Sequence, residues 1–88
     1  MNEKDINQMT RNDVEEKLIE GISAIMSMDR SSMAPEVPFK ELGLDSLGFV
    51  EVLVFIEKTF KLNLVELDLT KKDFETINSL ATFISKKL

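Results

Sequence analysis

The chemistry open to this chain is bounded first by the side chains that it lacks. Its 88 residues include no cysteine and no histidine. A disulfide and a thiolate zinc site are therefore excluded, and the usual general base and commonest metal ligand are missing as well. A chain without these groups has few ways to build an active site, so the sequence predicts a protein that is not an enzyme.

One hydroxyl stands out by its surroundings, that of Ser46 in Asp45-Ser46-Leu47. Aspartate is a good N-cap, so Asp45 predicts a helix that begins at Ser46. The Gly-x-Ser-x-Gly frame of a hydrolase nucleophile is absent, because Gly43 lies three residues before Ser46. For the serine alone, two interpretations stay open: a first-turn residue that helps to cap the helix, and a phosphorylation switch at its terminus.

The helix predicted from Ser46 to about Phe60 has apolar residues on two faces. One face is predicted to be buried and contains Phe49, Val52, Leu53, Ile56 and Phe60. A second apolar stripe is rotated away from it, with Glu51 beside it, and contains Leu47, Val50 and Val54. Either neighbouring helices cover this stripe, or it is exposed as a docking face for partners.

Two further helices follow from the same periodicity. The first is predicted from near Asn12 to about Met28, with Asn12 and Glu15 at capping-box spacing. Its buried stripe is predicted to contain Val14, Leu18, Ile22, Ile25 and Met26. The last helix is predicted to begin after Thr76 and to bury Ile77, Leu80, Ala81, Phe83 and Ile84.

The connections between these helices differ in character. Residues 29–44 contain Pro35 and Pro38 and are predicted to form a long loop, anchored to the core by apolar residues in its second half, Phe39, Leu42 and Leu44. In residues 61–75, Thr70 is a plausible cap for one short helical turn that ends near Phe74. A strand over residues 62–69 is the less favoured interpretation, because a lone strand has no sheet to join.

The predicted fold is therefore an all-α four-helix bundle, with three principal helices and one short one. Residues 1–9 are expected to be a flexible tail and residues 10–88 the domain. The first ten residues contain no apolar run for a signal peptide or membrane span, so a cytoplasmic location without membrane insertion is expected. The net charge of -5 argues against nucleic-acid binding.

The segment from Phe39 to Phe60, FKELGLDSLGFVEVLVFIEKTF, resembles the acyl carrier protein family, as does the later run TINSL at residues 76–80. The resemblance implies a non-catalytic carrier, expected to be monomeric, whose Ser46 receives phosphopantetheine from coenzyme A through a phosphopantetheinyl transferase. Acyl groups would travel as thioesters on this arm between loading ligases, synthases and acyltransferases, in fatty acid or specialised lipid or polyketide biosynthesis.

In this interpretation Ser46 holds the arm and Asp45 caps and orients the site. A phosphodiester on Ser46 would lie beside the unpaired N–H groups of a helix N-terminus. Partner recognition is assigned to an acidic and apolar face that contains Leu47, Val50, Glu51, Val54 and Glu57. The core that could part to shelter an acyl chain is expected to be lined by Phe49, Leu53, Ile56, Phe60, Ile77 and Phe83.

Two departures from the housekeeping pattern of the family widen the range of functions. Gly48 and Lys58 stand where acidic residues would be expected, so the acidic ridge is thin and docking should depend more on apolar contacts. The segment LDLTKKDFETI looks more like D-alanyl carrier proteins. An aminoacyl carrier fed by an adenylating ligase is thus the alternative, and a helical interaction module without a cofactor is the alternative from another class.

Overall fold

The computed structural model describes residues 9–64 and 72–88, and the regular secondary structure there is helical. The helices are α1 (Arg11–Met26), α2 (Phe39–Leu42), α3 (Ser46–Phe60) and α4 (Ile77–Lys87), with one turn of 3-10 helix at Arg30–Ser32. The described ranges contain no strand, only a single antiparallel bridge between Pro38 and Thr76. The predicted all-α fold with three long helices and one short helix is confirmed.

The short helix among the described residues lies at a position where the sequence predicted none. It is α2, which lies inside the connection predicted to be a loop. Of the short turn predicted from Thr70 to near Phe74, the first two residues lie outside the described residues, and residues 72–75 form a turn in which the N–H of Glu75 donates to the carbonyl of Lys72 at 3.3 Å. Most of the weaker strand prediction falls on residues 65–69, also outside the described residues. The predicted tail, residues 1–9, lies outside them as well except for Met9, so the boundary of the domain stays a prediction.

The start of α1 differs from the prediction by two residues. Its N-cap is Thr10, whose hydroxyl accepts a hydrogen bond from the N–H of Asp13 at 3.1 Å. The carboxylate of Asp13 accepts one from the N–H of Thr10 at 3.0 Å, which completes a capping box. The prediction of Asn12 and Glu15 in these roles was wrong, because Asp13, in place of the usual Glu or Gln three residues after Thr10, closes the box two residues earlier.

The end of α1 is set by a backbone conformation that periodicity does not reveal. Ser27 adopts a left-handed conformation with φ of 55°, and the N–H of Met28 donates to the carbonyl of Ser23 at 2.9 Å. This pair of features terminates helices without requiring glycine. The helix therefore ends at Met26 instead of the predicted Met28.

The connection between α1 and α3 is tied to the start of α4. The N–H of Phe39 donates to the carbonyl of Glu75 at 2.9 Å, and the N–H of Asn78 donates to the carbonyl of Pro35 at 2.9 Å. Phe39 is buried, while Leu42 and Leu44 are half-buried against the core, so the predicted anchors are confirmed. Gly43, which ends α2 with φ of 93°, then turns the chain into α3.

The three long helices share one apolar core. Fully buried side chains come from α1 (Val14, Leu18, Ile22), from α3 (Val52, Ile56) and from α4 (Ile77, Leu80, Ala81, Ile84), with Phe60 and Phe83 almost fully buried. Each large side chain of this set stabilises the fold by about 1.5–3 kcal/mol. The predicted stripe of α4 is confirmed in full, whereas Ile25 and Met26 at the end of α1 are only partly buried.

Helices α1 and α3 approach closely at a glycine that the sequence analysis did not single out. A Cβ atom built on Gly21 would lie 2.0 Å from Cζ of Phe55, so the ring of Phe55 occupies the space that a side chain would need. Phe55 itself is only partly buried. This contact determines how α3 packs against α1. It therefore also determines where the residues at the start of α3 lie.

Candidate functional site

The N-terminus of α3 is organised by Asp45. Its side chain accepts a hydrogen bond from the N–H of Gly48 at 2.7 Å, and its carbonyl accepts one from the N–H of Phe49 at 2.8 Å. The backbone of Asp45 is extended, as expected of an N-cap. The prediction that Asp45 caps a helix beginning at Ser46 is confirmed.

Loss of this cap should cost stability. We expect Asp45→Ala to lower the free energy of unfolding by about 1 kcal/mol, because one N–H group at the helix start loses its acceptor. Asp45→Asn keeps an acceptor oxygen and should lose much less. Urea denaturation of the three proteins measures the difference, and equal losses in both variants would contradict a capping role.

Ser46 is the first residue of α3 and is exposed to solvent. Its hydroxyl makes no hydrogen bond within residues 9–64 and 72–88, and the N–H groups of Ser46 and Leu47 have no acceptor there. An accessible oxygen therefore lies beside two free donors at the positive end of a helix, a setting that stabilises a nearby anion. The condition on which the sequence interpretation depended, an exposed serine at a helix start, is met.

An apolar stripe lies on the solvent side of α3, next to Ser46. Leu47 is 71% exposed, Val50 53% and Val54 43%, and Glu51 beside them is also exposed. Of the two interpretations left open for these residues, cover by neighbouring helices is wrong for the described part of the chain. Clustered apolar side chains that stay in water are typical of a surface that binds other proteins.

Glu57, assigned to the same recognition face, has a structural contact that the sequence did not predict. Its Oε2 accepts a hydrogen bond from the N–H of Leu64 at 3.1 Å, and the side chain is half-buried. Glu57 thus anchors the segment that follows α3 through its hydrogen bond with Leu64. Its role in recognition stays a prediction, as does that of Glu51, whose side chain is exposed.

Gly48 faces inward, toward the segment before α3. A Cβ atom there would lie 2.8 Å from Cδ1 of Leu44 and 3.2 Å from Oδ1 of Asp45. A side chain at this position would require the Leu44 side chain to shift. A small pocket of about 260 Å³ borders Gly48, and Ile25 and Met26 of α1 also line it.

The prediction that Phe49 lies in the core is wrong. Its ring is 39% exposed and packs edge-on against Phe74, with centroids 4.4 Å apart. Phe74 in turn packs against Phe39 at 5.1 Å. Within the described residues, the ring contact that Phe49 makes is with Phe74, and this contact leaves it partly in solvent.

Of the other residues predicted to line the core, Ile56, Phe60, Ile77 and Phe83 are buried and Leu53 is half-buried. Residues 9–64 and 72–88 contain no group of three or more acidic side chains placed to hold a metal ion. Within the same ranges no helix has the length and apolar content needed to cross a bilayer.

Comparison with known proteins extends the sequence resemblance to nearly the whole chain. A family model described as "Highly reducing polyketide synthase sdgA, C-terminal ACP domain" matches residues 3–88. This chain belongs to the acyl carrier protein family. It is thus a carrier domain and not an enzyme, and the family assignment made from FKELGLDSLGFVEVLVFIEKTF is confirmed.

Individual carrier proteins are similar over most of their length. The "Acyl carrier protein" of Onion yellows phytoplasma (strain OY-M) is 38% identical over 72 residues, which cover 81% of this chain and 92% of that protein. The "D-alanyl carrier protein" of Streptococcus uberis (strain ATCC BAA-854 / 0140J) is 33% identical over 67 residues, covering 76% of this chain and 85% of that protein. No solved structure shows a significant match to the chain.

Proposed function

We propose that Ser46 carries a covalent 4'-phosphopantetheine arm and that the chain transports acyl groups for fatty acid, specialised lipid or polyketide biosynthesis in the cytoplasm. The observation that supports this most is the exposed hydroxyl of Ser46, unbonded within the described residues, at the first position of α3. Beside it lie two N–H groups that have no acceptor within the described residues. These features fit a phosphodiester on that atom.

The roles of the chain's own residues follow from their positions. The arm, once attached, supplies the terminal thiol that a chain without cysteine lacks and on which cargo is held as a thioester. Ser46 provides the point of attachment. Asp45 holds the first turn of α3 in place through Gly48, and the N–H groups of Ser46 and Leu47 offset about 0.3–1 kcal/mol of the cost of placing an anion there.

Partners are proposed to dock on the exposed stripe of α3. A phosphopantetheinyl transferase must bring coenzyme A to Ser46, and Leu47 and Val50 lie within one turn of that residue. Their exposure leaves apolar area that a partner can cover. Ligases, synthases and acyltransferases would reach the arm over the same surface, with Glu51 at its edge as the acidic contact.

The docking role of Leu47 can be tested by truncation. We expect Leu47→Ala to lower kcat/KM of a broad-specificity phosphopantetheinyl transferase about fivefold, because a contact near the centre of an interface is worth about 1 kcal/mol. Lys86→Ala, an exposed truncation at the far end of α4, should leave the rate unchanged. Equal rates for Leu47→Ala and wild type, with both folded, would contradict a docking role for this side chain.

The decisive experiment for the proposed function is the intact mass of the protein after co-expression with a broad-specificity phosphopantetheinyl transferase. We expect the mass of one phosphopantetheine group to be added to each chain. The helical interaction module without a cofactor is the alternative from another class, and it predicts no added mass under conditions that modify a known carrier in parallel.

A second candidate cargo is an aminoacyl group, which the similarity to a D-alanyl carrier protein favours. The modified protein can be offered to a D-alanine-activating ligase with ATP and D-alanine, and separately to an acyl ligase with a fatty acid. We expect acylation to be the faster reaction. Faster loading of D-alanine would overturn this order and assign the chain to aminoacyl transfer.

A further inference from the structure

Arg11, the first residue of α1, makes side-chain contacts with two residues of α4. Its Nε donates to Oγ1 of Thr82 at 3.0 Å, and its Nη2 donates to the carbonyl of Asn78 at 2.9 Å. Its Nη1 donates to Oε1 of Glu15 at 2.8 Å, one turn further along α1. One planar group, whose donors form a fixed fork, thus links the start of α1 to α4.

The two residues of α4 that Arg11 contacts also bind each other. Oγ1 of Thr82 donates to the carbonyl of Asn78 at 3.1 Å, in addition to accepting from Arg11. Arg11, Thr82 and Asn78 therefore form a closed ring of hydrogen bonds. Hydrogen bonds with a charged donor are stronger than neutral ones, so this ring is a strong link between α1 and α4.

The backbone of Asn78 is bound in turn to the connection between α1 and α3. Its N–H lies in the first turn of α4, where a helix offers no acceptor, and donates to the carbonyl of Pro35 at 2.9 Å. The N–H of Phe39, the first residue of α2, donates to the carbonyl of Glu75 in the same way. Residues 35–39 and 75–78 thus form a junction, and Arg11 contacts it at Asn78.

Comparison with a second arginine shows what is particular to Arg11. Arg30 pairs with Glu16 of α1 at 3.2 Å, but the two side chains are 56% and 65% exposed. The side chains of the pair Arg11 and Glu15 are 35% and 24% exposed. Exposed ion pairs contribute little to stability, because water and salt screen them. The junction is therefore expected to depend on Arg11 and not on Arg30.

We propose that Arg11 acts as a latch for this junction. It holds residues 35–39 against the start of α4, and the junction opens locally when the guanidinium group is released. The start of α3 is restrained separately, because Asp45 caps its first turn. The connection can then move while the helix that begins at Ser46 stays folded. Proteins open in such local units, each with its own free energy of opening.

Hydrogen exchange of single N–H groups, followed by NMR, tests the proposal on the whole chain. The N–H groups of Phe39 and Asn78 report on the junction, because their acceptors lie across it. Those of Val52 and Ile56 report on α3. We expect Arg11→Met to speed exchange at both junction groups about tenfold, which corresponds to about 1.4 kcal/mol. Exchange at the two α3 groups should stay within about twofold of wild type.

Three further variants separate the geometry of the latch from its charge. Arg11→Lys keeps the charge, but one ammonium group cannot hold the fork of contacts, so exchange should be nearly as fast as in Arg11→Met. Thr82→Val removes only a hydroxyl from the ring and should speed exchange at the junction about threefold. The matched control, Arg30→Met, removes the exposed pair with Glu16 and should behave as wild type.

Several results would overturn the proposal. Equal acceleration at the junction and in α3 would make Arg11 a contact that stabilises the whole fold. Unchanged exchange in Arg11→Met, full protection in Arg11→Lys, or equal acceleration in Arg30→Met would show that the ring of hydrogen bonds does not hold the junction. These measurements need no arm at Ser46, so their outcome is independent of the proposed function.

Discussion

Replacing Ser46 by alanine is expected to abolish the phosphopantetheine mass increment completely while changing the free energy of unfolding by no more than about 0.5 kcal/mol. The loss follows because the proposed attachment needs the hydroxyl oxygen. Stability is preserved because this hydroxyl makes no hydrogen bond within the described residues, and Asp45 provides the cap of α3. Intact mass and urea denaturation measure the two effects on the same preparation.

Ser31→Ala is the matched control, since Ser31 is an exposed serine in the 3-10 turn and also tolerates alanine. It should take up the same increment as wild type. An increment that survives in Ser46→Ala would move the modification to another side chain, and a large loss of stability in Ser46→Ala would show that the hydroxyl has a structural role.

Replacing Gly21 by alanine is expected to lower the free energy of unfolding by about 1 kcal/mol. Alanine usually stabilises a helix interior relative to glycine, by about 1 kcal/mol. Here the new Cβ atom would lie 2.0 Å from Cζ of Phe55, so the ring must move and part of the contact between α1 and α3 is lost. Overpacking of this kind costs about 1–3 kcal/mol and outweighs the gain in helix propensity.

The sign of this effect should reverse when the ring is absent. In a Phe55→Ala background, Gly21→Ala meets no obstruction and should raise the free energy of unfolding by up to about 1 kcal/mol. A double-mutant cycle in urea therefore isolates the contact between the two residues. Destabilisation by Gly21→Ala of the same size in both backgrounds would place the cause elsewhere.

Local sequence signals predicted the elements that position the site. The start of α3 was predicted from Asp45 as N-cap, and its inward face from the spacing of Val52, Ile56 and Phe60. The start of α4 was predicted from Thr76. These signals act within one helix, so they can be identified without knowledge of the neighbouring elements. The N-cap of α1 is Thr10 and not the predicted Asn12. Two capping patterns overlap in this part of the sequence, and only the backbone conformation decides between them.

Features that depend on contacts between distant residues could not be predicted. Periodicity placed Phe49 on the buried face of α3, but the structure leaves it 39% exposed, packed edge-on against Phe74. The close approach of Gly21 to Phe55 depends on how two helices cross. Glu57 gained a partner, the N–H of Leu64, because the chain turns back after α3.

The exposed stripe of α3 is a part of the site that the sequence could predict only incompletely. The sequence identified Leu47, Val50 and Val54 as a second apolar stripe and left open whether other helices cover it. Helical periodicity determines which side chains share a face but not what lies against that face. The exposure of the three residues resolves the question within the described residues and places an apolar surface beside Ser46.

The central claim is that the arm is attached where α3 begins, and localisation of the added mass tests it most directly. Wild-type protein modified by a broad-specificity phosphopantetheinyl transferase is digested, and the peptides are fragmented to assign the modified residue. We predict that the whole increment lies on Ser46. An increment on any other side chain, or none under conditions that modify a known carrier, would contradict the account.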